Sequence, residues 1–227
     1  MGLAGNVLQR KLTRAGIARS PLPDTDFVGQ TFARQIEKGL RPLVKTTIGA
    51  TLVEARVAKV SEAIQGVSVP AMLGVVEIDG AKAQGLVILE SDLAFHLTDL
   101  MLGGDPSAAA TPVARSFTPI DHALCRLAED VALTALAEAL GAAFGRPLLG
   151  RFAVVSQQQD VTQVRFAPLH GDVLVYNLAL DMGPAARTGA LRLFLPLALL
   201  DVICARLADK AVAAPVEEAN DLWRVQM

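Results

Sequence analysis

Leu100-Met101-Leu102-Gly103-Gly104-Asp105-Pro106, followed after an alanine-rich stretch by Arg115-Ser116-Phe117-Thr118-Pro119-Ile120-Asp121, is the part of this 227-residue chain that decides its organisation. An apolar helical pattern starting at Ser91 or Asp92 runs into two glycines, which stop it because glycine adopts the left-handed backbone at little cost. Asp105 to Ser116, with Pro106, Pro112 and an Ala run, reads as an exposed loop. Phe117-Thr118-Pro119-Ile120-Asp121 then predicts a strong helix start: Thr118 as the cap, Pro119 as the first helical residue, and Asp121 reaching back in the manner of a capping box. The stretch is therefore a bend joining two helices.

The second helix is predicted to continue to about Phe144. His122, Arg126, Asp130, Thr134 and Glu138 recur every four residues as one narrow polar stripe, and most of the remaining surface is Leu, Ala, Val and Ile. A helix apolar on nearly all sides is packed between neighbours. Upstream, Asp24 or Asp26 is placed to cap a first helix with Phe27, Phe32, Ile36, Leu40, Leu43 and Val44 near helical spacing, and Pro42 should kink it or end it early. Phe32 and Ile36 read as core, although contact with a neighbouring subunit is a second reading. Strands are expected at Thr47–Val57, Met72–Ile78 and Gly85–Leu89. Further strands are expected at Leu148–Val155, Val161–Phe166, Asp172–Asp181 and Ala190–Leu195, before a last helix over about Pro196–Ala208.

The chain also echoes itself. Gly85-Leu-Val-Ile-Leu leads into a helix, and so does Gly189-Ala-Leu-Arg-Leu. Two such units predict a duplicated half-domain, each half giving strands to one sheet with long helices on its face. The fold class expected is α/β (α+β), with a pseudo-two-fold, mixed or antiparallel sheet. Three regions follow: a basic, mobile arm at 1–23, the folded domain at 24–210, and a linker with a terminal stub holding Trp223 at 211–227. The stub's placement suggests a further element beyond it.

Composition excludes several classes of function. With 21 basic against 23 acidic residues the net charge is −2, and there is one Trp and one Tyr. A nucleic-acid binder shows a basic surplus and aromatic stacking platforms, and neither is present. Hydrophobic residues reach 52% and mean hydropathy +0.41, yet no apolar run approaches the ~18 residues of a membrane span. The excess apolar surface is expected to be buried in the fold or against partners. Met1–Ser20 is basic and acid-free but lacks the apolar core of a secretory signal. Cys125 and Cys204 sit in apolar helical patterns and read as small hydrophobes in a reducing compartment. His96, His122 and His170 have no metal-ligand spacing, so no cofactor or metal is expected.

Catalytic motifs are missing too: there is no Gly-x-Ser-x-Gly and no phosphate-cradling Gly-x-x-x-x-Gly-Lys-Ser/Thr. Asp121, Glu129 and Asp130 resemble a carboxylate set, but Asp121 suits the helix dipole. Glu129 and Asp130 read as lying on or beside a solvated stripe.

The residues of the bend resemble the middle domain of the flagellar motor switch protein FliM family, in which a helix ends in a Gly-Gly-x-Gly loop before an Arg-x-Phe-Thr-like start to a long helix. Phe32-Ala33-Arg34 with Gly39-Leu40 resembles that domain's first helix. Ser61–Ile64 through Val69-Pro70-Ala71 resembles the connection of its early strands, and Gly189 through Pro196 its closing strand. Asp221-Leu222-Trp223-Arg224 resembles the segment leading into its C-terminal domain. The resemblance covers about residues 25 to 224.

It implies a CheC-like fold and a cytoplasmic scaffold in the C-ring, peripheral to the inner membrane at the flagellar basal body. There, FliM subunits stand side by side and pair with FliN through the C-terminal domain, and the ring switches rotation sense in answer to phosphorylated CheY. It also implies that Gly103, Gly104 and Asp105 contact the rotor protein FliG. For Arg115 two readings stand: a charge-assisted bond to an acidic partner surface, or plain solvation. Pro106 replaces the usual fourth glycine, which stiffens the loop. Met1–Ser20 lacks the acidic, Leu-rich CheY-binding peptide, so that interaction stays open.

The rival reading is a CheC-type phosphatase acting on phosphorylated CheY. Those enzymes set a Glu-x-x-Asn pair on one helix face, the amide orienting the attacking water. Pro119–Phe144 holds no Asn and Pro196–Ala208 neither Glu nor Asn, so an enzyme is not expected.

Overall fold

The computed structural model of the chain describes residues 20–109 and 115–208. Residues 1–19 of the basic arm, residues 110–114 of the loop and the terminal stub with Trp223 lie outside those residues. Their order is α1 (Thr25–Val44), β1 (Ile48–Lys59), α2 (Val60–Gln65), β2 (Ala71–Ile78), β3 (Gln84–Glu90) and α3 (Ser91–Met101). After the bend come α4 (Pro119–Phe144), β4 (Phe152–Gln158), a 3-10 turn (Val161–Gln163), β5 (Asp172–Met182), β6 (Arg187–Pro196) and α5 (Leu197–Ala208).

The six strands form one sheet in the order β1-β5-β6-β3-β2-β4, with every pairing antiparallel. The duplication becomes visible here. Each half runs helix, strand, short helical turn, two hairpin-joined strands, helix. β3 and β6 meet at the centre, and each half sends its first strand to the far edge of the other half's hairpin. That exchange of β1 and β4 ties the halves into one domain.

Both faces of the sheet are covered, which explains why the strands read as continuous apolar runs. Side chains still alternate. Met72, Val76, Val87, Leu89, Tyr176, Leu178, Leu191 and Leu193 point to the main core under α1, α3, α4 and α5. Leu73, Val75, Leu86, Ile88, Val173, Val175 and Phe194 point to a smaller core closed by α2 and the segment Val161–Phe166. Phe32 and Ile36 are fully buried, so their role is packing. Phe32 tilts against Tyr176, whose hydroxyl donates to the Thr25 carbonyl at 3.1 Å.

Three expectations change. Val161–Phe166 is no strand: Asp160 caps a single 3-10 turn by accepting from the Thr162 amide at 2.8 Å, and Val161, Val164 and Phe166 drop into the smaller core. β4 begins four residues later than expected and extends through Ser156-Gln157-Gln158, because its register is fixed by pairing with β2 from Ile78–Phe152 to Leu73–Gln158. Pro42 does not stop α1 before Val44. It sits in the last turn, where the missing N–H costs one hydrogen bond, and Lys45 at φ 52° closes the helix.

Candidate functional site

The bend lies where α3 runs out. The amides of Leu102, Gly103 and Gly104 fold back onto the carbonyls of Thr98, Leu100 and Asp99 at 3.0, 3.1 and 2.9 Å. Gly103 takes φ +94°, which makes it the left-handed residue that ends the helix. A β-carbon on Gly103 would meet nothing within 4 Å, so that position opens to solvent. Leu102 beside it is 67% exposed, an apolar side chain held out at the tip. Gly104 differs, since a β-carbon there would lie 2.3 Å from the Asp99 carboxylate. The first glycine thus serves the turn and the second a close approach.

The loop beyond is shaped from within the protein. Asp105 accepts the Ser107 amide on its own side chain at 2.8 Å, a local Asx-type turn. Pro106 packs against Gly183 in the β5–β6 turn, and its carbonyl accepts from the Ala185 amide at 3.4 Å. Arg187, at the start of β6 and only 5% exposed, reaches under the bend. Its guanidinium donates to the Asp105 carbonyl at 2.8 Å, the Ala108 carbonyl at 3.2 Å and the Asp99 carboxylate at 2.5 Å.

At the far end of the connection, the Arg115 side chain is 44% exposed and also bonded within the protein. It pairs in a fork with Asp121 at 2.5 and 3.0 Å and lies over the Phe95 ring, 4.7 Å from its centroid. Asp121 is 1% exposed and also accepts from the Thr118 amide and hydroxyl, both at 2.7 Å, completing the capping box. The Arg115 guanidinium beside it holds the Asp121 carboxyl well below the usual carboxylate range, with the Thr118 bonds adding to the effect. Gln159 fastens the same corner, exchanging hydrogen bonds with both backbone groups of Phe117 at 3.1 Å.

Glu129 overturns its expectation. It belongs to no solvated stripe but is 0% exposed, on the face of α4 that carries Cys125, Ala132 and Leu136. It fills a notch left by Gly74, whose added β-carbon would lie 2.8 Å from the carboxylate. Gln157 donates to one oxygen at 2.8 Å, while the other has no partner. Burial pushes the Glu129 carboxyl up to about 8, so at neutral pH it is mostly neutral. Asp130, its neighbour, is exposed as expected and pairs with Arg126 at 3.3 Å.

Among the described residues no group of His, Cys, Asp and Glu is placed to hold a metal ion, and no helix is long and apolar enough to cross a membrane. Cys125 is buried, its thiol pushed up to about 12 by desolvation. The structure brings Gly103, Gly104 and Asp105 together at one exposed bend and sets Arg115 apart from them on Asp121. Sequence reasoning missed Arg187 and the buried acid. Arg187 carries no local signal, because its carboxylate partner lies 88 positions away. Glu129 carried one, since it falls four residues after Cys125 and three before Ala132 on a buried helical face.

Solved structures of FliM middle domains share this fold. The FliM middle domain from H. pylori superposes with a TM-score of 0.66 at 13% identity, covering 79% of this chain and 93% of that one. The FliG-FliM complex from H. pylori gives 0.67 at 14% identity over 77% and 93%. The chain belongs to the flagellar motor switch protein FliM family, whose model matches residues 19–212. It is 23% identical to the FliM of Salmonella typhimurium, covering 93% of this chain and 62% of that protein. With the Caulobacter vibrioides FliM the identity is 25%, over 95% and 59%. The chain thus spans about three-fifths of the length of these curated relatives.

Proposed function

We propose that this chain is a scaffold of the flagellar motor switch, on the cytoplasmic side of the basal body, that holds the rotor protein FliG through the exposed bend Leu102–Asp105. One observation carries the reading: a bend that is open at Gly103 and Leu102 yet fixed from beneath by Arg187 and Asp99. Preorganised backbone and one protruding apolar side chain give a partner a landing place without an ordering cost. A solved relative is a FliG-FliM complex, which favours the same partner.

Scaffolding, and not phosphatase chemistry, also fits the acid and amide on offer. Glu129 and Gln157 form an acid–amide pair, but the acid is sealed in the core and cannot engage a substrate. An attacking water must be held at a surface that the phosphorylated protein can reach.

The test is the affinity of the purified chain for FliG. Gly103→Gln meets open space and costs the fold about 1–2 kcal/mol of backbone strain, while Leu102→Asp removes the apolar tip. Both are expected to weaken FliG binding at least tenfold with the far-ultraviolet circular dichroism unchanged. Wild-type affinity in both variants would overturn the reading, as would accelerated phosphate loss from phosphorylated CheY on adding the chain.

A further inference from the structure

We propose that Arg187 is a positioning residue: from the opposite half of the domain it holds the diglycine bend in the conformation presented to a partner. As regards binding, this rests on the reading of the bend as the FliG-docking surface.

The geometry is that of a clamp. One guanidinium, 5% exposed, spends its donors on the carbonyls of Asp105 and Ala108 and on the Asp99 carboxylate. Asp99 is in the last turn of α3, and its backbone carbonyl receives the Gly104 amide, so Arg187 ties the end of the helix to both sides of the loop. Guanidinium is suited to this because its donors are fixed in one plane and never lose their charge. A lysine has the charge but not the fork. The clamp also explains Gly104. Any β-carbon there would displace the Asp99 carboxylate, whereas Gly103 faces open space. The β5–β6 turn adds a second hold, through Gly183 and the Ala185 amide on Pro106. Residues 104–108 are therefore held by the second half's hairpin as well as by their own Asx-type turn at Asp105.

Arg187→Met keeps most of the apolar stem and removes every donor. Asp105 and Ala108 are exposed, so water can satisfy the freed carbonyls and the domain stays folded. Arg187→Lys serves as a second variant that keeps a charge near Asp99. Amide hydrogen exchange at Gly104, Ser107 and Ala108, FliG affinity and thermal melting are measured for both, with Gly103→Gln alongside. The expected result is exchange at these amides at least tenfold faster in Arg187→Met and intermediate in Arg187→Lys. FliG affinity should fall in the same order, with exchange in β2 and β3 unchanged.

Exchange equal to wild type in both Arg187 variants would overturn the clamp, whatever FliG does. Faster exchange with undiminished affinity, while Gly103→Gln binds weakly, would overturn the positioning role and leave the docking surface standing. Full affinity in Gly103→Gln and in the Arg187 variants would count against the docking surface, and the exchange rates alone would then decide the clamp.

Discussion

Replacing Glu129 by glutamine is expected to stabilise the protein by about 3–5 kcal/mol at pH 9 and to change little at pH 4. The folded carboxyl is raised to about 8 from an ordinary 4.5 because burial disfavours its charge. Below pH 4.5 it is protonated in both states, and its neutral form sits in the notch at Gly74 with no charge to desolvate. As pH rises from 4.5 towards 8 the unfolded chain releases the proton and the folded one does not. Stability is lost across that window, at about 1.4 kcal/mol for each unit of separation. Glutamine has nearly the same shape, keeps an oxygen for the Gln157 amide and never ionises. Urea unfolding between pH 4 and 9 checks this: the wild type should weaken as pH rises, and Glu129→Gln should run flatter. Parallel curves would show that Glu129 is not buried as described.

Asp121→Ala is the second large effect, a loss of about 3 kcal/mol at pH 7. The side chain accepts four hydrogen bonds, two from Arg115 and two from Thr118, so one truncation removes the capping box and the ion pair together. Breaking a fully buried pair costs about 3–5 kcal/mol. Here Arg115 is half-exposed and recovers water when its partner goes, which keeps the loss at the lower end. Because the folded carboxyl is lowered, its stabilisation is complete above the ordinary carboxylate range and disappears only as pH falls below about 4. On acidification Asp121→Asn, which keeps the shape but cannot hold the charge, should therefore begin to unfold at a higher pH than the wild type. The two buried acids of α4 act in separate windows, Asp121 below pH 4 and Glu129 above it.

Much of this was legible locally. Thr118, Pro119 and Asp121 announce the start of α4 because a capping box is closed within four residues. Gly85 and Gly189, each opening a short strand before a helix, announce the duplication, and the sheet places β3 and β6 side by side at its centre. What stayed hidden depends on distant pairing. Ser156-Gln157-Gln158 has no strand pattern and becomes strand because β2 offers it an open edge. Val161–Phe166 has strand composition but pairs with no strand, and its apolar residues fill a core instead. At the bend, two glycines were readable as a helix stop. Their different duties were not, because Asp99 is held by an arginine from the other half of the chain.

The most direct measurement is the footprint of FliG on this protein, read by amide hydrogen exchange in the free and FliG-saturated states. Slower exchange over residues 102–108 in the complex is the result that a docking bend predicts. Slowing confined to the outer faces of α1 or α4, with 102–108 exchanging as in the free protein, would contradict it.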